Sequence, residues 1–178
     1  MNKTVDELLV MRSQDGDTAA FELLFKRWQK RLLRHAWHVT QNHDAAVEVA
    51  QDTWLAIVLG IGRLDDSARF PQWALRIVTN KGVDWVRRQQ RARKITEQLS
   101  GNKHSSSDRA ENNDEQNDIA LLKDGLKKLS PDQRALLSML YLDGLSIVEI
   151  AHALAIPAGT VKSRLYHARL HLKKLVGG

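Results

Sequence analysis

After Pro157 the chain carries Lys162, Arg164, Arg169, Lys173 and Lys174, with His167 and His171, and no Asp or Glu. Cationic side chains massed in this way hold phosphates, and an arginine can also pair with two acceptors on a guanine edge. A second acid-free stretch, residues 85–95, holds Arg87, Arg88, Arg91, Arg93 and Lys94. Between the two, residues 108–118 carry Asp108, Glu111, Asp114, Glu115 and Asp118 against Arg109. Overall, 27 Lys and Arg face 21 Asp and Glu, a net charge of +6. A polyanionic partner suits that balance, and the two basic stretches are where it would bind.

Other chemistry is sparse. The chain has no cysteine, which excludes disulfide scaffolds, thiolate zinc sites and cysteine nucleophiles, and fits a reducing cytosol. His35 and His38 stand at i, i+3, and His167 and His171 at i, i+4. Such pairs can ligate a metal, but neither has a third ligand nearby in the sequence, so no metal site is expected. A phosphate-binding glycine loop and a nucleophile elbow are both missing. The chain therefore reads as a binding protein rather than an enzyme, with no cofactor. No apolar run approaches the ~18 residues of a membrane span. Nor does the N-terminus, with its two early acids, resemble a signal peptide. A cytoplasmic protein without membrane insertion is the expectation.

The elements that must position the basic residues are helical. Length, 178 residues with 43% apolar and 27% charged, allows one or two domains with a real core. Only three Pro and ten Gly occur, and no stretch alternates with period two, so strands are not required. Thr4 and Glu7 form a capping box for a short first helix. Asp17 caps a second, whose Phe21, Phe25, Trp28, Leu32, Ala36 and Val39 recur at helical spacing. Asp44 is the expected cap of a third helix ending near Gly60. Pro71 suits the first turn of a fourth, running to about Ile95. Within it Ala74, Val78 and Trp85 point to the core. Gly82, costly in mid-helix by ~1 kcal/mol, implies a close neighbouring helix. Trp73 and Trp85 could stack on unpaired bases, but helical spacing favours the core.

Residues 96–117 are polar and lack aromatic and β-branched side chains over most of their length, which reads as a mobile linker. Its 22 residues reach roughly 70–80 Å when extended and average roughly 25 Å as a coil. Its acids serve solubility, or else repel DNA or follow a basic polymerase channel. The expected organisation is thus all-α, with two small helical domains, 1–95 and 118–178, joined by that linker. In the second domain Ser130-Pro131-Asp132-Gln133 is a strong helix start, and Asp143-Gly144 a stop. Ser146 and Glu149 form another capping box, opening Ile147–Leu154. A turn at residues 155–159 then leads to a basic helix from about Thr160 to Val176, with Leu165, Leu172 and Leu175 inward. Short helix, tight turn and basic helix make a helix-turn-helix pattern. An ordinary helical hairpin has the same outline, but the charge of the last helix argues for DNA.

These motifs resemble the extracytoplasmic-function (ECF) sigma factors of bacteria, from about residue 17 to 176. Residues 129–137 (LSPDQRALL), 145–151 (LSIVEIA) and 156–169 (IPAGTVKSRLYHAR) look like the family's C-terminal helix-turn-helix. Residues 70–88 (FPQWALRIVTNKGVDWVRR) look like its promoter −10 segment, and 44–54 (DAAVEVAQDTW) like its polymerase-binding helix. Three motifs in this order, split by a polar linker, are far more specific than any one.

The resemblance implies roles. Asp44, Glu48, Gln51, Asp52 and Leu55 would dock on RNA polymerase core. Acids around an apolar residue suit a basic partner surface, and Val49 and Asp52 stand where many members carry Leu and Glu. Arg76, Asn80, Asp84, Arg87 and Arg88 of the fourth helix, with Arg63, Asp65, Asp66, Ser67 and Arg69 of the preceding loop, would capture the separated strand near −10. Thr160, Lys162, Ser163, Arg164, Tyr166, His167 and Arg169 would read the −35 duplex, with His167 at a place where many relatives have Arg. An anti-sigma protein is a further implied partner, beside polymerase core and promoter DNA. Two rivals stay open at this level. A stand-alone helix-turn-helix regulator would need no acidic docking face, and a basic adaptor for an acidic protein would show no sequence preference.

Overall fold

The computed structural model describes residues 3–100 and 114–176 of the chain, all of whose regular elements are helical. Helix α1 spans Lys3–Gln14, α2 Thr18–Thr40, α3 His43–Gly60 and α4 Phe70–Ser100. After the undescribed residues come α5, Asp114–Lys128, and α6, Pro131–Leu137, which runs on as a π-helical turn over Ser138–Leu142. Helix α7, Ile147–Leu154, and α8, Ala158–Val176, complete the chain.

Capping explains most of these boundaries. The Asp17 carboxylate accepts from the Ala20 N–H at 3.0 Å and starts α2. Ser130 and Ser146 each close a reciprocal box, with Gln133 and Glu149. Two expected caps are corrected. Helix α3 is capped by Asn42, whose side chain accepts from the Ala45 N–H at 2.9 Å, and Asp44 lies inside its first turn. Gln41 before it adopts the left-handed conformation, φ 55°, which turns the chain so that Asn42 is the extended residue at the helix entrance. Helix α1 begins at Lys3, so Thr4 sits within the helix rather than before it.

Helix α4 runs past the expected end at Ile95, and α5 begins before Ile119. Residues 96–100 and 114–117 of the expected linker are therefore helical, and residues 101–113 lie outside the described residues. Nothing in residues 91–98 is buried. This last part of α4 stands clear of the core, so no apolar periodicity marked its extent.

Helices α1 to α4 pack around Leu24, Trp28, Leu32, Ile57, Phe70 and Val78, all fully buried. Ala46, Ala50, Trp54, Ile57 and Ile61 form the buried stripe of α3. The stretch His43–Arg63 is by length and mean hydropathy, 1.3, apolar enough to cross a membrane, contrary to the sequence expectation. Its apolar stripe instead faces α2 and α4. Gly82 brings α4 against the end of α2: a Cβ there would stand 3.0 Å from Val39 Cγ1. Trp73 and Trp85 are half-buried against the core, and Trp85 also donates its indole N–H to Glu48 Oε2 at 3.1 Å.

The second half packs α5, α6 and α7 on α8 around Leu136, Met139, Ile150, Val161, Leu165 and Ala168. The two halves touch. Helix α6 lies on α2 and α7 on α4, and Val39, Val83 and Ala135, from α2, α4 and α6, form a small buried cluster. Arg134 locks this joint. Its guanidinium donates to the Val39 carbonyl at 2.7 and 3.1 Å, to Leu129 at 2.7 Å and to Lys127 at 3.2 Å. These carbonyls lie at the C-terminal ends of α2 and α5, where unpaired oxygens and the helix dipole both favour a cation. Burial lowers the Arg134 pKa, but a guanidinium stays charged through any such shift.

Candidate polymerase and promoter interfaces

The acidic face of α3 is on the surface. Asp44, Glu48, Gln51, Asp52 and Leu55 are all exposed, on the side opposite the buried stripe. Glu48 is held by Trp85, and Asp52 lies 3.8 Å from Lys81 Nζ. The apolar part of this face is larger than expected. Beyond Leu55, 60% exposed, come Val58 at 54% and Leu59 at 71%. Spacing from Leu55 placed Leu59 one turn further along the same side.

The loop between α3 and α4 is ordered by a residue that sequence reading missed. Gln14, at the end of α1, donates its amide to the carbonyls of Ile61, 2.9 Å, and Leu64, 2.8 Å. Its carbonyl accepts from Ser67 Oγ at 3.3 Å. Asp66 caps the following turn through the Ala68 N–H and pairs with Arg69 at 2.9 Å. So within this loop Ser67, Asp66 and Arg69 already have partners, while Arg63 and Asp65 stand exposed.

On α4, Arg76, Asn80, Asp84, Arg87 and Arg88 are all exposed, as expected. They do not form one row. Asn80, Asp84 and Arg87 line a groove of about 240 Å³ whose other wall is Asp132, Leu154, Ile156 and Arg164 of the second half. Arg88 turns the other way, toward Asp52 and Lys81 beside α3.

Helix α8 has a clear division. Val161, Leu165 and Ala168 are buried, whereas Lys162, Ser163, Arg164, Tyr166, His167 and Arg169 are exposed and Thr160 half-buried. The turn before it is set by Ala155 in the left-handed conformation, φ 52°. The exposed residues fall into two groups. Arg164 and His167 line a groove with Arg87. Arg169 lies over the Tyr141 ring at 5.5 Å and lines a separate apolar groove of about 600 Å³ with Leu122, Leu126, Leu137, Tyr141 and Leu172. His38 lines that groove too. Burial, then the charges of His35 and Arg34, lower its pKa. Among the described residues no group of three His, Asp or Glu could hold a metal.

Two family models match the chain: Sigma-70 region 2 over residues 24–92 and Sigma-70 region 4 over residues 119–172. The first spans the acidic face and the exposed residues of α4, the second the helix-turn-helix, so fold and matches together define an RNA polymerase sigma factor that directs transcription initiation. The ECF sigma factor SigM of Mycobacterium tuberculosis is 32% identical over 163 residues, covering 91% of this chain and 80% of the relative. The sigma-H factor of Pseudomonas aeruginosa is 28% identical, covering 95% of this chain and 92% of that one. The solved structure of CnrH in complex with the cytosolic domain of CnrY superposes with a TM-score of 0.71, covering 97% of both chains at 23% identity. RpoE of Bartonella quintana, solved with the anti-sigma factor NepR, superposes at 0.64 with 23% identity, covering 88% of this chain and 96% of that one. The chain belongs to the ECF RNA polymerase sigma factors. The readings as a stand-alone regulator and as a basic adaptor are set aside.

Proposed function

We propose that this sigma factor divides its work between the two halves. The acidic face of α3, Asp44, Glu48, Gln51 and Asp52 around Leu55, extended by Val58 and Leu59, docks on polymerase core. The loop residues Arg63, Asp65, Asp66, Ser67 and Arg69, with Arg76, Asn80, Asp84, Arg87 and Arg88 of α4, hold the separated strand near −10. Capturing an unstacked base there shifts the duplex toward melting, because only the open state can be bound. The N-terminal end of α8, Thr160 through Arg164 with Tyr166 and His167, reads the −35 duplex. Arg169 stabilises the helix from behind through Tyr141 instead of reading bases. The role is one of binding alone: polymerase supplies the chemistry, in the cytoplasm, and residues around 101–113 tether the two modules. CnrH and RpoE were each solved with a partner, CnrY and the anti-sigma factor NepR, which supports an anti-sigma protein as the regulator of this chain.

The observation that carries the reading is the division of α8, with three apolar residues buried and every basic residue of its first three turns exposed. Transcription from a genomic promoter library by purified core polymerase with this chain tests it. Specific starts are expected, and Glu48→Lys with Asp52→Lys should weaken capture of core polymerase at least tenfold. Undiminished capture by the doubly substituted protein would remove the α3 assignment.

A further inference from the structure

Helix α4 outruns the core that holds it. It continues to Ser100, but Val86 is the last buried apolar side chain among its described ones, and residues 87–98 are all exposed. From Val86 to Gln98 the helix rises about 18 Å, at ~1.5 Å per residue. Packing does not explain this length. The stretch is rich in Arg and Gln, with Ala92, all good helix formers. It grows from turns already fixed by the core, so it needs no nucleus of its own.

What the overhang carries is charge. Arg87, Arg88, Arg91, Arg93 and Lys94 stand against one acid, Glu97. A helix dipole favours cations only within the last turn, and Lys94 lies more than a turn before Ser100. The dipole therefore does not account for them.

Their placement is ordered. With Arg88 turned aside, Arg76, Asn80, Asp84, Arg87, Arg91 and Lys94 follow one another at steps of four, four, three, four and three residues. Such steps keep side chains on one side of a helix, and all six are exposed. The first four are −10 residues of the reading above. Arg91 and Lys94 continue their line onto the overhang. Arg93 does not. Two residues from Arg91, it faces away, and it stands seven residues on from Val86, above the side that α4 buries.

The chemistry changes along the line. Asn80 and Asp84 can pair with base edges. The overhang offers cations to phosphates, and residues 87–98 include no aromatic ring on which an unpaired base could stack. From Asp84 to Lys94 the line rises about 15 Å, or roughly four to five base pairs. The chain then leads to the half assigned to −35, so the overhang points away from the melted strand and along the duplex.

We propose that the overhang of α4 is a phosphate clamp on the duplex immediately upstream of the −10 element, held through Arg91 and Lys94 and blind to sequence. The inference rests on the −10 assignment above.

The test uses core polymerase with the full chain and two promoter probes, each with an unpaired −10 strand. One probe ends its duplex at the −10 element. The other carries one further helical turn of duplex upstream, which stops short of −35. Fluorescence anisotropy over a salt series reads the binding. The longer probe should bind more tightly and with the steeper salt dependence. Arg91→Ala with Lys94→Ala should weaken it at least tenfold at low salt and lower its log–log salt slope by about 1.8, at about 0.9 for each phosphate contact. The shorter probe should bind as before, and the loss should be the same whatever the upstream sequence. Both side chains are exposed and alanine is the best helix former, so circular dichroism of the variant should match that of the unmutated chain. Arg93→Ala removes the same charge from the other side and should leave the advantage of the longer probe intact.

An unchanged slope in the double variant, an equal loss on both probes, a loss that depends on upstream sequence, or the same loss from Arg93→Ala overturns the proposal. Asn80→Ala with Asp84→Ala separates the two readings. If that variant distinguishes matched from altered −10 sequences as well as the unmutated chain does, the −10 assignment falls, while the advantage of the longer probe still judges the clamp.

Discussion

Replacing Arg134 by methionine should destabilise the protein by about 3 kcal/mol and loosen both helix ends that it caps. The side chain is 7% exposed as a residue and gives its hydrogen bonds to three backbone carbonyls, those of Val39, Leu129 and Lys127. Lys127 is exposed, so its carbonyl can turn to water. The Val39 and Leu129 carbonyls are left dry, at about 1–3 kcal/mol each. The methionine stem returns about 1 kcal/mol of apolar burial, which leaves a net loss near 3. With a urea slope of about 2 kcal/mol/M, the midpoint should fall by about 1.5 M. Arg134→Lys should recover part of the loss, since an ammonium keeps the charge but cannot reach three carbonyls from one rigid fork. Hydrogen exchange should rise at the last turns of α2 and α5 before it rises elsewhere. A midpoint shift below about 0.5 M, or exchange confined to α6, would refute the capping argument.

Three further outcomes are expected. Gly82→Ala should lower thermal stability by about 1 kcal/mol. The gain of about 1 kcal/mol in helix propensity is outweighed by overpacking of 1–3 kcal/mol against Val39, whose Cγ1 would stand 3.0 Å from the new Cβ. An unchanged or raised melting temperature would show that Val39 yields freely. The Glu149 carboxyl is held down to about 2, first by its hydrogen bond to Lys3, against a partial upward push from burial, and then by the capping bond with Ser146. A depressed carboxylate stabilises the fold fully above its ordinary value of 4.5, and loses that contribution as pH falls toward about 2. NMR titration should place it there, and should move it upward in Lys3→Gln. Arg164→Ala should cut activity on −35-dependent promoters by a base contact of about 1–3 kcal/mol. Arg169→Ala should act alike on all promoters, and a sequence-dependent effect there would put Arg169 back among the readers.

The features legible in the sequence are those whose causes lie within a few residues. Ser130 with Gln133, Ser146 with Glu149, and Asp17 with Ala20 are all i, i+3 arrangements, and each stands as read. Gly82 was legible because a glycine in mid-helix demands a close neighbour, though not which one. Asn42 was missed because Asn42 and Asp44 compete for one cap, and only the left-handed Gln41 decides between them. For the candidate site the exposed faces of α3, α4 and α8 follow from helical periodicity alone. Their division into groups does not: Arg87 and Arg164 share a groove, and Arg88 and Arg169 leave it, because of how α4 meets the second half.

His35 shows the same boundary from the other side. In sequence it is a histidine three residues from another, in a basic helix, and its spacing raises only the question of a metal. Its actual partner, Asp143, is 108 residues away, and that carboxylate looked like no more than a helix stop before Gly144. Burial alone would push the Asp143 carboxyl up, but the bonds from His35 and Arg31 outweigh it and hold the pKa below the ordinary value. The group therefore stays ionised at neutral pH, inside the protein, where the two halves meet. A well-packed apolar pair of the same volume often holds as well as or better than a buried ion pair, whereas removing one partner alone leaves the other charge buried and is costly. The role of His35 is thus set by how α2 meets the second half, and not by any spacing within α2.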